Sequence, residues 1–311
     1  MYYLHLFEDD ATCIEQYTGE SSGYTEPWNS YSMDAMKVRY NRDAGNYYDE
    51  YLTFEILTGG TVAWKSFGTG STKTIQYSVN DGEWTSITAS SSTTINVQEG
   101  DLVRFKGTNA SYGSSKNDYA GFEGGTAVFN IKGNIMSLVY GDDFANNIKL
   151  TGTYNFCSIF KKTNAISAKY LVLPATVLTT YCYRAMFSYT TTLREAPELP
   201  AMTLAQGCYW YMFEFCAITK APDLLAPVLI RECYGNMFTG CENLAYIKCL
   251  AGNIETAPTS AVTNWCVSVM ESGVFIQDAS VTWPRGASGI PTNWKIIKWI
   301  NGKLVVENPT G

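Results

Sequence analysis

The sequence has a single histidine among its 311 residues, His5, close to the beginning of the chain. A Ser-His-Asp or Cys-His catalytic arrangement needs an imidazole held in a folded site, and many zinc sites use two or more histidines. The scarcity of histidine therefore argues against both kinds of site. The sequence also lacks a GxxxxGK[ST] phosphate loop and a GxGxxG turn that opens a helix after a strand. We expect no cofactor and no metal site.

Basic residues are the minority of the charged residues. The 22 Lys and Arg stand against 29 Asp and Glu, for a net charge of -7. Phosphate binding needs clustered basic side chains, so nucleic acid and anionic membranes are disfavoured as partners. No apolar run reaches the roughly 18 to 20 residues of a membrane span. The opening MYYLHLFEDDATCIEQYTGE lacks the regions of a signal peptide, which predicts a trimmed chain or export outside the general secretion route.

What the sequence does contain is a repeat. Three segments begin at Leu173, Leu199 and Leu224, 26 and then 25 residues apart. Each has a second leucine five residues on and then a CYxxMF block. In a degenerate earlier unit, Phe160 stands 27 residues before Phe187. A unit of this length predicts a leucine-rich-repeat solenoid, in which stacked coils bury the apolar side that one coil cannot bury alone.

The cysteines fit this repeat better than they fit a metal clip or a redox pair. Three of them share one repeat position and are predicted to form a ladder of small buried residues: Cys182, Cys208 and Cys233. Cys216 and Cys241 align with Thr190, which would not replace a metal ligand or a disulfide partner. Nine cysteines cannot all pair within one chain, and no CxxC spacing occurs. We therefore predict reduced, inert thiols.

Strands are predicted in each repeat and at both ends of the array. Within the repeats they fall near ISAKYLVL, LREAPEL, ITKAPDL and LAYIKCL, each followed by a turn and a helical or 3₁₀ stretch at the CYxxMF block. At the C-terminus, Asn301-Gly302 between WKIIKW and KLVVE predicts a β-hairpin that caps the stack.

Upstream of the repeats the sequence has short β-prone segments, among them YLTFEIL, TVAWKSF, TIQYSVN, TTINVQ, LVRFKG and TAVFNIKG. Their β-branched and aromatic content and their spacing predict an antiparallel β-sandwich over about residues 50–134. Asn80-Asp81-Gly82 and Glu99-Gly100 predict hairpin turns between neighbouring strands.

These patterns predict a mainly β protein, with an N-terminal β-sandwich followed by a short leucine-rich-repeat solenoid and a β-hairpin cap. The predicted regions are an extended or attachment segment at 1–49, the sandwich at 50–148, the solenoid at 149–270 and the cap at 271–311.

The repeat pattern LPA-x-x-L-x-x-x-CY-x-x-MF-x-x-C-x-x-L-x-x-AP-[ED] resembles the BspA-like leucine-rich repeat of gut bacterial surface proteins and of their phages. The resemblance covers about residues 150–298, including TNWCVSVMESGVFIQDASVTWPRGASGIPTNW, which is similar to the usual end of such arrays. YLTFEILTGGTVAW, QYSVNDGEWTSI and FNIKGNIMSLVYGDDF are similar to the β-domain that often precedes them. The resemblance implies adhesion or binding. The third unit departs from it, with LLAPVL where LPATTL is usual.

Positions that vary between the repeats indicate where a ligand binds. Within CYxxMF the variable pairs are Arg184-Ala185, Trp210-Tyr211 and Gly235-Asn236. If such positions face solvent, an aromatic patch on the convex side is the predicted ligand-binding site: Trp210, Tyr211, Phe215 and Tyr189. Packing of these residues on neighbouring coils or on the sandwich is the alternative. A second candidate is the strand face with Glu195, Glu198, Lys220 and Asp223.

We therefore expect a non-enzymatic recognition or adhesion protein that binds a surface protein or glycan of a bacterial cell or host. The lack of a signal peptide favours a virion-associated phage or prophage component, of fibre or decoration type, over the alternative of a bacterial cell-surface adhesin. The N-terminal segment would then attach to the virion or to other copies of the chain. A carboxylate-dependent glycoside hydrolase is the enzyme alternative, because 29 acidic residues could supply two convergent carboxylates.

Overall fold

A computed structural model describes residues 47–68, 72–300 and 303–305. Nearly all of the predicted N-terminal segment, and the predicted turn Asn301-Gly302, lie outside these described residues. The protein is mainly β, and none of the sheets in the described residues closes into a barrel. No helix in this part of the chain has the length and apolar character needed to cross a bilayer.

The strands are short and numerous. In chain order they are β1 Leu52–Thr58, β2 Gly60–Ala63, β3 Lys65–Phe67, β4 Thr74–Val79, β5 Thr85–Thr88, β6 Thr94–Val97, β7 Leu102–Lys106, β8 Gly113–Ser115, β9 Asp118–Gly121, β10 Val128–Asn134, β11 Ala165–Val172, β12 Tyr246–Cys249, β13 Val274–Asp278, β14 Lys295–Ile300 and β15 Lys303–Val305. The helical elements are α1 Ser137–Tyr140 and the 3₁₀ turns Tyr47–Asp49, Gly141–Asn146 and Thr259–Val262.

The N-terminal strands form three sheets over one aromatic core. The largest has the order β11-β10-β1-β7-β4-β5, and the smaller ones are β2-β6 and β3-β9-β8. Phe54 on β1 stacks on Phe129 with ring centroids 4.3 Å apart, and Phe122, just after β9, lies 4.8 Å from Phe54. Because β11 pairs with β10 in parallel, the largest sheet continues across the predicted boundary between residues 148 and 149.

One of the two predicted N-terminal hairpins is confirmed and the other is wrong. Asn80 and Asp81 have φ angles of 50° and 59°, which a type I′ turn requires, and they join the antiparallel strands β4 and β5. Gly100 also turns the chain, with φ 86°, but β6 pairs with β2 while β7 pairs with β1 and β4. The Gly100 N–H donates to the Ile56 carbonyl at 2.9 Å, so this turn carries the chain from one sheet to another.

The repeats form successive coils that are hydrogen-bonded to one another through their CYxxMF stretches. Alternate N–H groups donate to the next coil, as from Tyr183 to the Cys208 carbonyl at 3.0 Å and from Phe187 to the Met212 carbonyl at 2.9 Å. The N–H groups between them donate three residues back, as from Met186 to Tyr183 at 3.3 Å. The backbone donors of this stretch are thereby used inside the stack, as burial requires.

The helical or 3₁₀ conformation predicted for these stretches is wrong. A left-handed residue recurs at every fourth position, with φ angles of 57°, 51° and 59° at Tyr181, Ala185 and Tyr189. The chain therefore makes consecutive turns instead of a helix. A left-handed non-glycine residue costs about 1–2 kcal/mol. The hydrogen bonds between neighbouring coils hold the backbone in this conformation.

The two central strands predicted in the repeats are reduced to isolated bridges. LREAPEL contributes the bridge from Glu195 to Ser167. ITKAPDL contributes two bridges, from Lys220 to Tyr246 and from Leu224 to Cys249. Each segment contains a proline, Pro197 or Pro222, which has no N–H to give to a strand ladder.

Beyond the last CYxxMF block, β12, β13 and β14 form a parallel sheet, and β15 pairs with β14 in an antiparallel hairpin. The predicted C-terminal hairpin is thus present. Trp265 continues the apolar interior past the last coil, with its ring 6.1 Å from Phe238 and 5.3 Å from Trp283. These large side chains cover the C-terminal end of the core.

Candidate functional site

Two inward ladders of aromatic rings fix the spacing of the coils. Tyr183, Tyr209 and Tyr234 stack with centroids 5.8 and 5.9 Å apart. Phe187, Phe213 and Phe238 stack at 5.6 and 6.0 Å, with interplanar angles of 4° and 3°. All six rings are buried. Equivalent residues of successive coils therefore lie directly next to one another, and the outward side chains inherit the same spacing.

The predicted cysteine ladder is confirmed. The three cysteines that open the blocks are free and fully buried: Cys182, Cys208 and Cys233. Burial raises the pKa of the Cys182 thiol to about 12, so this thiol stays protonated at neutral pH.

The alignment of Cys216 and Cys241 with Thr190 has a structural reason. The Cys216 Sγ donates to the Phe187 carbonyl at 3.1 Å, and the Cys241 Sγ donates to the Phe213 carbonyl at 2.9 Å. The Thr190 Oγ1 makes the equivalent bond to the Phe160 carbonyl, at 2.8 Å. A thiol and a hydroxyl can exchange at this position because each donates the same hydrogen bond to the preceding coil.

The four aromatic residues predicted to bind a ligand lie at the outward positions of the coils, as two pairs. Tyr189 and Phe215 are 44% and 39% exposed, and their ring centroids lie 4.7 Å apart. Trp210 and Tyr211 are half-buried and stack at 5.0 Å. The buried pair Met212-Phe213 separates the two sets along the coil, and no ring contact joins them in the described residues.

Glycines of the following coil lie beneath these rings. A Cβ on Gly240 would overlap the Phe215 ring, and a Cβ on Gly235 would lie 3.2 Å from Cδ1 of Trp210. Gly240 also has a φ of 73°, which favours glycine. A side chain at position 240 would displace the Phe215 ring, and one at position 235 would press closely on Trp210. The rings pack on neighbouring coils and still keep part of their surface exposed.

Arg184 belongs to this face, although sequence reasoning did not select it as a site residue. Its Cζ lies 5.1 Å from the ring centroid of Trp210 and 5.7 Å from that of Tyr211. Its Nη1 reaches the Cys157 Sγ at 4.0 Å, and its Nε is buried with no hydrogen-bond partner. The signal was present in the sequence, because Arg184 occupies the same variable position as Trp210.

A second column of outward side chains, just before the CYxxMF blocks, was also missed. Tyr154 and Tyr181 stack at 4.9 Å, and Tyr181 lies 6.2 Å from Trp210. The Gln206 Nε2 donates to the Tyr181 hydroxyl at 2.9 Å and to Glu232 at 3.2 Å. Aligning the residue before each cysteine of the repeats would have placed Tyr181 and Glu232 in one column.

An acidic side chain borders the Trp210-Tyr211 pair. Glu214 is half-buried and accepts a hydrogen bond from Ser188 Oγ at 2.8 Å. Burial raises the pKa of Glu214, and the Ser188 bond and the charge of Arg184 oppose this shift. Burial, together with the charge of Glu214, also raises the pKa of Tyr211. The tyrosine is therefore neutral at physiological pH and can donate a hydrogen bond.

The second predicted site, on the strand face, is less open. The structure places Glu195 and Lys220 in exposed positions and Glu198 and Asp223 in half-buried ones. Asp223 forms an ion pair with Lys248 at 2.7 Å, and the Lys248 Nζ lies 4.1 Å over the Trp299 ring. The presence of Asp223 is therefore explained by its ion pair with Lys248 within the fold.

Chemically, the outward face offers aromatic surface, a guanidinium and hydroxyl donors on a backbone held by its own hydrogen bonds. The single histidine lies outside the described residues, and within them no three His, Cys, Asp or Glu side chains cluster as metal ligands would. Comparison with family models, with curated proteins and with solved structures finds no match to this chain.

Proposed function

We propose that this protein is a non-enzymatic recognition protein whose outward aromatic face binds a surface ligand of a bacterial cell. One observation carries the proposal: Trp210, Tyr211, Phe215 and Tyr189 sit at outward positions of hydrogen-bonded coils. Because the backbone beneath them is fixed, the rings lose little conformational freedom on binding. Tyrosine and tryptophan also supply large contact areas with a polar edge, as recognition surfaces commonly do.

The proposal includes a finer description of the architecture. The N-terminal sheets correspond to a β-sandwich, and the coils correspond to a BspA-like leucine-rich-repeat solenoid closed by the C-terminal hairpin. Support comes from hydrogen bonds that run from a residue to the one just before its equivalent in the next coil, such as Tyr183 to Cys208 and Tyr209 to Cys233, 25 and 24 positions on. The aromatic core around Phe54 supports the packing of sheet against sheet.

For the biological setting we propose a phage or prophage particle component, of fibre or decoration type, found on the virion. A bacterial cell-surface adhesin is the other setting. The resemblance of the repeat to BspA-like proteins supports both settings. In either setting the partner is a surface protein or glycan, and the N-terminal segment is the proposed attachment to the particle or to other copies.

Binding of labelled protein to whole bacterial cells and to a panel of bacterial polysaccharides tests the proposal. The double variant Trp210→Ala, Tyr211→Ala removes one ring pair, and we expect binding to fall about tenfold or more. The matched control is Val177→Ala, Val228→Ala, which removes two exposed apolar side chains outside the ring pairs. Unchanged binding by the aromatic variant would contradict the proposal. An equal loss of binding in the control variant would also contradict it, because the loss would then not be specific to the rings.

The same panel separates recognition from hydrolysis. A carboxylate glycosidase would release reducing ends from a polysaccharide over time, whereas a recognition protein retains the polymer unchanged. We expect retention without release. Melting temperatures of both variants are recorded alongside, so that a loss of binding is not confused with unfolding.

A further inference from the structure

This inference rests on the proposed function and concerns the chemistry of the ligand. The guanidinium of Arg184 forms no ion pair with any described carboxylate. Several other cations of the described residues do form ion pairs, among them Lys106 with Asp142 at 2.8 Å, Lys162 with Glu123 at 3.3 Å and Lys248 with Asp223 at 2.7 Å. Arg184 instead reaches only the Cys157 Sγ, at 4.0 Å.

Two acidic groups of this face, Glu214 and Glu232, have hydrogen bonds of their own. Glu214 accepts from Ser188 Oγ at 2.8 Å. Glu232 accepts from Gln206 Nε2 at 3.2 Å and from the Tyr181 hydroxyl at 3.3 Å. The charge of Arg184 acts on Glu214, but neither carboxylate forms an ion pair with the guanidinium, which therefore keeps donors for another carboxylate.

The aromatic rings position the guanidinium. Stacking on Trp210 and Tyr211, at 5.1 and 5.7 Å, holds the planar group while leaving donors at its edge. The Nε is buried without a hydrogen-bond partner, which lowers the stability of the folded protein. A group kept at such a cost in stability, beside the candidate binding rings, is explained by a role in binding.

The surroundings favour a glycan over a peptide. A peptide that adds as a strand needs free backbone donors and acceptors, but the N–H groups of the CYxxMF stretches already bond to the next coil or to their own turn. Recognition must therefore use side chains. Aromatic rings pack against the apolar face of a sugar ring, and a guanidinium binds a carboxylate with two parallel hydrogen bonds.

We propose that the ligand is an acidic polysaccharide that contains uronic acid, and that Arg184 binds its carboxylate beside the Trp210-Tyr211 pair. The sugar ring lies against the aromatic side chains, and the carboxylate meets the edge of the guanidinium. The ion pair forms at the surface of an otherwise acidic protein, so its strength falls as salt rises.

The test uses polygalacturonate and alginate, each compared with its carboxyl-reduced, neutral form. We expect wild-type protein to bind the acidic polymers about tenfold or more tightly than the neutral ones. Arg184→Met should remove this difference, and Arg184→Lys should lose most of it, because a lysine cannot make the bidentate contact. Arg231→Lys is the matched control at an exposed arginine and should bind like wild type.

The results of this test distinguish failure of the inference from failure of the proposed function. Equal binding of acidic and neutral polymers, with loss in the Trp210, Tyr211 double variant, would overturn this inference and leave the proposed function standing. Binding of polyglutamate as tightly as polygalacturonate would indicate an acidic protein partner and overturn the assignment to a glycan. Binding to neither acidic polymer also contradicts the inference, whereas the proposed function is judged by binding to whole cells.

Discussion

The inward and outward sides of the coils share one backbone but differ in how much their residue types vary from coil to coil. On the inward side, successive coils present the same residue types, and their rings stack nearly parallel, at 4° and 3° for the Phe187, Phe213 and Phe238 ladder. On the outward side, Arg184 is followed by Trp210 and then by Gly235 at one repeat position. Packing explains what repeats, so the residues that differ are those that packing leaves free to serve recognition.

Two glycines make room for outward rings. Gly240 and Gly235 of the next coil provide space for the rings of Phe215 and Trp210. Tyr189 instead lies against the Phe215 ring of the next coil, with ring centroids 4.7 Å apart. Substitutions on both sides of the coils test this difference between inward and outward residues.

Phe213→Ala should have the largest effect because it opens a cavity in the middle of the inward ladder. The ring is fully buried between Phe187 and Phe238. We expect a loss of about 3–5 kcal/mol in the free energy of unfolding, measured by urea denaturation. A loss below about 1 kcal/mol would show that the ladder does not hold the coils together.

Gly240→Ala tests the pairing of ring and glycine. The left-handed φ of 73° at Gly240 should cost an alanine about 1–2 kcal/mol, and displacement of the Phe215 ring should add to this. In a Phe215→Ala background only the backbone cost should remain. Urea denaturation of the two single variants and the double variant gives the coupling energy, and additive effects would contradict the pairing.

Cys216→Ala and Cys216→Thr test the hydrogen bond from the inward thiol to the Phe187 carbonyl, at 3.1 Å. Alanine removes the donor, and we expect a loss of about 0.5–1.5 kcal/mol in the free energy of unfolding. Threonine, which already serves at Thr190, should retain more of the stability than alanine does. The reverse order in urea denaturation would show that packing volume, not the donor, matters at this position.

The smallest expected effect is a pH dependence from Glu214, on the outward side. Burial raises its pKa above the ordinary value of 4.5, so the folded protein holds this proton more tightly than the unfolded chain does. The resulting stabilisation is fully present below about pH 4.5 and is lost as pH rises through the folded-state pKa. Melting temperatures across pH 4 to 7 should therefore show a smaller decline in Glu214→Gln than in wild type. Identical profiles would assign the dependence to other groups.

Local patterns predicted several parts of the fold. The spacing of the CYxxMF blocks predicted which residues become equivalent, and Asn80-Asp81-Gly82 predicted its hairpin, because both depend on short stretches of chain. Gly100 shows the limit of such reasoning. Its turn was predicted correctly, but the partner of β6 depends on the whole set of strands, and β6 pairs with β2.

The structure places Trp210 and Tyr211 in half-buried positions. Variation between repeats predicted solvent-facing positions for both, and their role in binding stays a prediction. The variation did not predict that the four aromatics form two pairs, nor that Arg184 stacks on one of them. Those facts depend on distances between coils, which a pattern within one coil does not contain.

The repeat, its inward residues and the turn at Asn80 could be predicted from the amino-acid sequence, because each follows from residue types at fixed spacing. Four other features appear only in the folded protein: the left-handed turns, the isolated bridges of the proline-containing segments, the pairing of β10 with β11 and the surroundings of Arg184. The physical reason is that a hydrogen bond or ring contact between coils needs both partners in place. Stacking therefore sets conformations that no single segment adopts alone.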